Sequence, residues 1–141
     1  MTDKPTYFLF VYGSLRSGFQ SHAYEYISRY FVLAGPAKVK GKLFDMGSYP
    51  AAVPTGDNIF ITGELYHIMN PDEFSWALGQ LDDYEGVSAE AGSQPLYYRS
   101  ITDAYINGEI KPAWIYWYNG EVTGKPVITS GDVIEYLNQK R

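Results

Sequence analysis

The chain has 141 residues, 17% of them aromatic and only 19% charged, a balance that excludes intrinsic disorder and is enough for one domain, 1–141, with its own core. A net charge of −5 argues against a nucleic-acid partner, and the absence of Cys excludes disulfides, thiol catalysis and zinc–thiolate sites. Fourteen Gly and eight Pro favour turn-rich β structure over a helical bundle.

Tyr7 to Tyr12 is a continuous apolar and aromatic run of the length of a buried central strand. It stops at Gly13-Ser14-Leu15-Arg16-Ser17-Gly18. Ala23, Ile27, Tyr30 and Phe31 then recur at helical spacing, with Ser21 as the N-cap. Lys38 to Phe44 alternates, the lysines on one side and Val39, Gly41 and Leu43 on the other, which predicts a half-buried strand. Gly47-Ser48-Tyr49-Pro50 breaks it. Ile59 to Ile68 predicts another strand, with Gly63 marking a bulge or a close backbone approach.

Asn70-Pro71-Asp72-Glu73 carries the cap, the first-turn proline and the capping-box acid of a helix start. Phe74, Ala77, Leu78 and Leu81 form the apolar face, and Gly86 is the stop. Val87 to Pro95 reads as a surface loop. Tyr97 to Ile106 and Ala113 to Tyr118 predict a hairpin around Asn107-Gly108. Ser130-Gly131-Asp132 opens a last short helix through Leu137. The class is α+β: a small, mostly antiparallel, twisted sheet that curls into a β-barrel, with two or three short flanking helices.

Two places have the makings of chemistry. In the turn after the first strand, Gly13 permits a sharp bend, and successive backbone N–H groups can surround an anion. The spacing matches neither a Walker loop nor a dinucleotide fingerprint, and a plain turn remains open. The second is Leu81-Asp82-Asp83-Tyr84-Glu85-Gly86, three carboxylates at a helix C-terminus. The negative end of the macrodipole and like-charge neighbours both favour the protonated carboxyl, hence a better general base. A solvated acidic helix end is the alternative reading. His22 and His67 lack ligand spacing, so no metal is expected, and Ser14 has no visible activating base. Arg16 and Arg99 suit carboxylate binding or plain solvation. No span of about 20 apolar residues and no signal peptide is present, so a cytoplasmic protein without membrane association is expected.

The motifs, in order, resemble the γ-glutamylcyclotransferase-like superfamily, its compact bacterial and γ-glutamylamine-cyclotransferase branch. The resemblance is carried by Val11-Tyr12-Gly13-Ser14-Leu15-Arg16, the run from Gly41 to Ala51, Gly63-Glu64-Leu65-Tyr66, Leu81 to Gly86, the late hairpin and the closing Ser130-Gly131-Asp132. It implies a small β-barrel, no cofactor, and a small-molecule γ-glutamyl substrate whose own α-amine attacks the γ-carbonyl to give 5-oxoproline and a released amine. It further implies Glu85 as general acid/base and Tyr12, Gly13, Ser14 and Leu15 as the cradle for the glutamyl moiety, with Tyr98 and Tyr118 as candidate pocket aromatics and Asp82 and Asp83 as supporting groups. A non-catalytic module binding a γ-glutamyl or other small carboxylate is the competing reading, and a two-carboxylate hydrolase a third. The oligomeric state and the amine half of the substrate are not encoded in these motifs.

Overall fold

The computed structural model describes residues 7–12, 28–46, 50–85, 97–133 and 136, with the backbone alone for 81–85. Strand β1 (Phe8–Val11) is almost entirely buried, as its unbroken apolar run requires. It pairs antiparallel with β4 (Phe60–Ile68), where Phe8 faces His67 and Val11 faces Glu64. On its other edge it pairs parallel with β6 (Glu109–Tyr118), Leu9 facing Trp114.

Strand β2 (Phe31–Asp45) is longer than its lysine alternation predicts. It takes in Phe31, which the helical spacing had assigned to a helix face; residues 28–30 are helical, and the chain turns into strand where Phe31 pairs with Ile68. An irregularity between Leu33 and Gly35 offsets the register, and β2 then runs beside β4 to Lys40. Lys38 and Val39 use the other edge to pair with β5 (Tyr97–Ile106), which closes the barrel in the order β2-β4-β1-β6-β5. Further along that edge, Gly41 to Asp45 pair with β3 (Pro50–Pro54). The prolines at both ends of β3 mask its strand character in the sequence; they are tolerated at strand ends.

The late hairpin extends four residues beyond Ala113, to Glu109, with Asn107 and Gly108 both at positive φ (51° and 78°). That is the mirror-image turn whose twist matches the strands. Gly63 is a close approach: a Cβ there would collide with the Val11 carbonyl oxygen and the Phe10 ring.

Alternation sorts the side chains into two cores. Phe10, Tyr12, Val39, Leu65, Ile115 and Trp117 fill the barrel. Leu9, Val11, Tyr66, Ile68 and Tyr116 point outward and are covered by α1 (Phe74–Glu85) through Phe74, Ala77 and Leu78. The helix begins as expected at Asn70, whose side chain accepts the Asp72 N–H at 3.0 Å, but its first turn, Pro71–Glu73, is a 3₁₀ turn. The closing helix also starts in place, the Ser130 hydroxyl accepting the Asp132 N–H at 3.3 Å and the Asp132 carbonyl accepting the Tyr136 N–H at 3.0 Å. Among the described residues, no helix is long and apolar enough to cross a membrane.

Candidate active site

Strand directions decide which chain segments meet at one end of the barrel. β1 finishes at Val11, followed by Tyr12. β6 runs parallel to it, so Tyr116, Trp117 and Tyr118 finish at the same end. β5 and β4 run the opposite way, so Tyr97 and Tyr98 begin there, and Glu64 lies beside Val11. The Tyr12 hydroxyl donates to the Tyr116 carbonyl oxygen at 2.7 Å and ties the two parallel strands together where β1 gives way to the loop.

Helix α1 runs toward this end as well. Its first residue, Phe74, packs edge-on against Tyr7 at the far end of β1, ring centroids 5.3 Å apart. One turn on, the Leu78 carbonyl accepts the Tyr116 hydroxyl at 3.4 Å. The helix continues to Glu85, a further two turns or about 10 Å. Its C-terminus therefore approaches the end of the barrel where β1 finishes, carrying the acidic residues of the sequence motif. The Glu85, Asp82 and Asp83 side chains, and Gly13, Ser14, Leu15, Arg16 and His22, lie outside the described residues.

The two candidate aromatics separate. In the β5–β6 ribbon Tyr97 faces Tyr118, and Tyr98 faces Trp117. Directly paired residues share a face, so Tyr98 and Tyr118 are on opposite faces. Tyr118 lies with Tyr97, their rings edge-on at 5.8 Å, on the face that α1 covers. Tyr98 shares the barrel side with Trp117 and is exposed. The Tyr97 hydroxyl reaches the Pro50 carbonyl at 3.4 Å, which brings the start of β3 to the same end. Arg99 stacks on Trp114, its guanidinium carbon 4.5 Å from the ring centroid. His67 packs edge-on against Phe8, in keeping with a packing role.

Glu64 received no role from the sequence. It is half-buried on the face shared with Tyr66 and Ile68, and the Tyr66 hydroxyl donates to its Oε1 at 3.0 Å. The signal was present in the strand alternation: Glu64 is a carboxylate at the same parity as Tyr66 and Ile68, on a face otherwise committed to packing.

Comparison with known proteins agrees with the motifs. The family model described as gamma-glutamyl cyclotransferase, AIG2-like, matches residues 9–135. A Vibrio cholerae protein named "Putative gamma-glutamylcyclotransferase" is 35% identical over 126 residues, covering 88% of this chain and 92% of its own. A Niallia circulans protein named gamma-L-glutamyl-butirosin B gamma-glutamyl cyclotransferase is 29% identical over 112 residues, covering 79% of this chain and 66% of its own. Among solved structures, YkqA of Bacillus subtilis superposes with a TM-score of 0.69 at 25% identity, over 97% of this chain; the chain spans only 44% of that longer one. With the family pattern running through the strands, the loop and the acidic helix end alike, the chain belongs to the gamma-glutamyl cyclotransferase, AIG2-like family.

Proposed function

We propose that the protein is a cytoplasmic γ-glutamylcyclotransferase that cyclises the γ-glutamyl moiety of a small peptide or amine to 5-oxoproline. The reaction is an intramolecular aminolysis. The substrate's α-ammonium gives a proton to the Glu85 carboxylate, and the freed amine attacks the γ-carbonyl carbon. The developing oxyanion takes hydrogen bonds from backbone N–H groups of Gly13, Ser14 and Leu15. The γ-carbon–nitrogen bond then breaks, and protonated Glu85 hands a proton to the leaving nitrogen. Two protons leave the attacking nitrogen in all, and the departing amine takes up both to leave as R–NH3⁺. Nucleophile and electrophile belong to one molecule, so folding the substrate back on itself supplies much of the rate, up to ~7–11 kcal/mol of barrier.

The observation that carries this reading is the common direction of β1 and α1. The strand leading into the loop and the helix ending at Glu85 finish at one end of the barrel, in a chain of this family. The Niallia circulans relative, whose name specifies a γ-glutamyl compound, supports the substrate class. Tyr118, on the face covered by α1, is the better of the two aromatic candidates for lining the site.

The test is to incubate the protein with a panel of γ-glutamyl dipeptides and γ-glutamyl amines and to measure 5-oxoproline. Glu85→Gln should lower turnover by ~10²–10⁴-fold with unchanged circular dichroism. Equal rates for the two proteins would remove Glu85 from the mechanism.

A further inference from the structure

We infer that Glu64 receives the α-ammonium group of the glutamyl ligand, with Tyr66 as the positioning residue that holds its carboxylate. The identity of the ligand rests on the cyclotransferase reading; the placement of the carboxylate does not.

Glu64 sits directly across from Val11, the last residue of β1, and the next strand positions lead into Tyr12 and the loop. Alternation turns it outward, onto the face shared with Leu9, Val11 and Tyr66, whose apolar residues pack with Phe74, Ala77 and Leu78 of α1. Glu64 is half-buried there, a carboxylate among aliphatic and aromatic neighbours. Tyr66, two residues along the same strand, donates its hydroxyl to Oε1 at 3.0 Å. A phenol orients the carboxylate without neutralising its charge.

The chemistry of the ligand asks for such a group. A γ-glutamyl compound presents a γ-carbonyl, an α-carboxylate and an α-ammonium. Backbone N–H groups of the loop are donors, so they suit the first two and can accept nothing from the third. The general base has to change protonation state during the reaction. A second carboxylate that takes no part in the proton transfer therefore keeps the nitrogen in register before and after the proton moves. Among the described carboxylates, Glu64 is the one that the strand register sets beside the end of β1.

The test compares binding of L-glutamate with that of glutarate, which lacks only the α-amine, by calorimetry on the full chain. Wild type should favour glutamate by about tenfold or more, the scale of one charge-assisted hydrogen bond. Glu64→Gln should lower the ratio several-fold, the remainder being due to Glu85, with glutarate binding unchanged or improved. Glu64→Asp should retain part of the preference. Tyr66→Phe, which keeps the ring packed, should lower the ratio several-fold and decides the matter if Glu64→Gln fails to fold. An unchanged ratio in a folded variant, or a wild-type ratio near one, overturns the inference. A Glu64-dependent preference in a protein that releases no 5-oxoproline overturns the catalytic reading instead and leaves this site standing. Turnover that persists while Glu64→Gln discriminates as wild type does overturns the assignment of Glu64 alone.

Discussion

Tyr12 and Tyr116 are 104 residues apart in sequence and joined by a 2.7 Å hydrogen bond, phenol to backbone carbonyl, inside the barrel. The bond fixes the ring of the last residue before the loop to the neighbouring parallel strand. Tyr12→Phe keeps the ring and removes the donor. It should cost about 1 kcal/mol of stability, read as a lower urea midpoint at unchanged slope. It should also lower turnover, because the loop loses its fixed starting point.

Two glycines separate steric need from helix propensity. Gly63→Ala sets a methyl against the Val11 carbonyl and the Phe10 ring, so it should destabilise by about 1–3 kcal/mol. Gly79→Ala lies in α1, where an added Cβ meets nothing within 4 Å, and it should stabilise by roughly 0.5–1 kcal/mol. Thermal or urea unfolding of both variants checks the opposite signs.

The cap at Asn70 connects helix stability to the site. Asn70→Ala removes the acceptor for the Asp72 N–H and should cost about 1 kcal/mol. Since α1 carries Glu85, the same change should weaken activity modestly, and both effects should be recovered by Asn70→Asp. Parallel unfolding and turnover assays provide the measurement.

Tyr118→Phe and Tyr98→Phe form a matched pair on opposite faces of one ribbon. Tyr118→Phe should change turnover or KM several-fold. Tyr98→Phe, exposed on the other face, should stay within about twofold of wild type. Equal effects would place the substrate across the strand edge rather than on the side covered by α1.

Much of the fold was legible because its signals are local. The buried run before Tyr12, the Asn70 cap, the Asn107-Gly108 turn and the lysine alternation of β2 each specify their element from a few adjacent residues. What was missed depends on pairing. Phe31 satisfied a helical spacing, yet its partner is Ile68 on β4. Pro50 and Pro54 disguised β3, which exists because Gly41 to Asp45 offer it an edge. The loop and Glu85 were legible as motifs. Glu64 stood in the Gly63-to-Tyr66 motif without a role, because its alternation gives it a face but not its partner Val11, which only the register between distant strands supplies.

The place of β1 between β4 and β6 has a consequence for biosynthesis. Among the described strands, the first made is the one whose second neighbour is made last. β4 can cover one edge of it, but about 40 residues separate Ile68 from Glu109, which is roughly 2–8 s of translation at ~5–20 residues per second. Through that interval the wholly apolar β1 presents an open hydrogen-bonding edge. The strand that leads into the proposed site is thus also the one most exposed to mispairing on the ribosome, and β6 is the natural point at which a nascent chain becomes safe from aggregation.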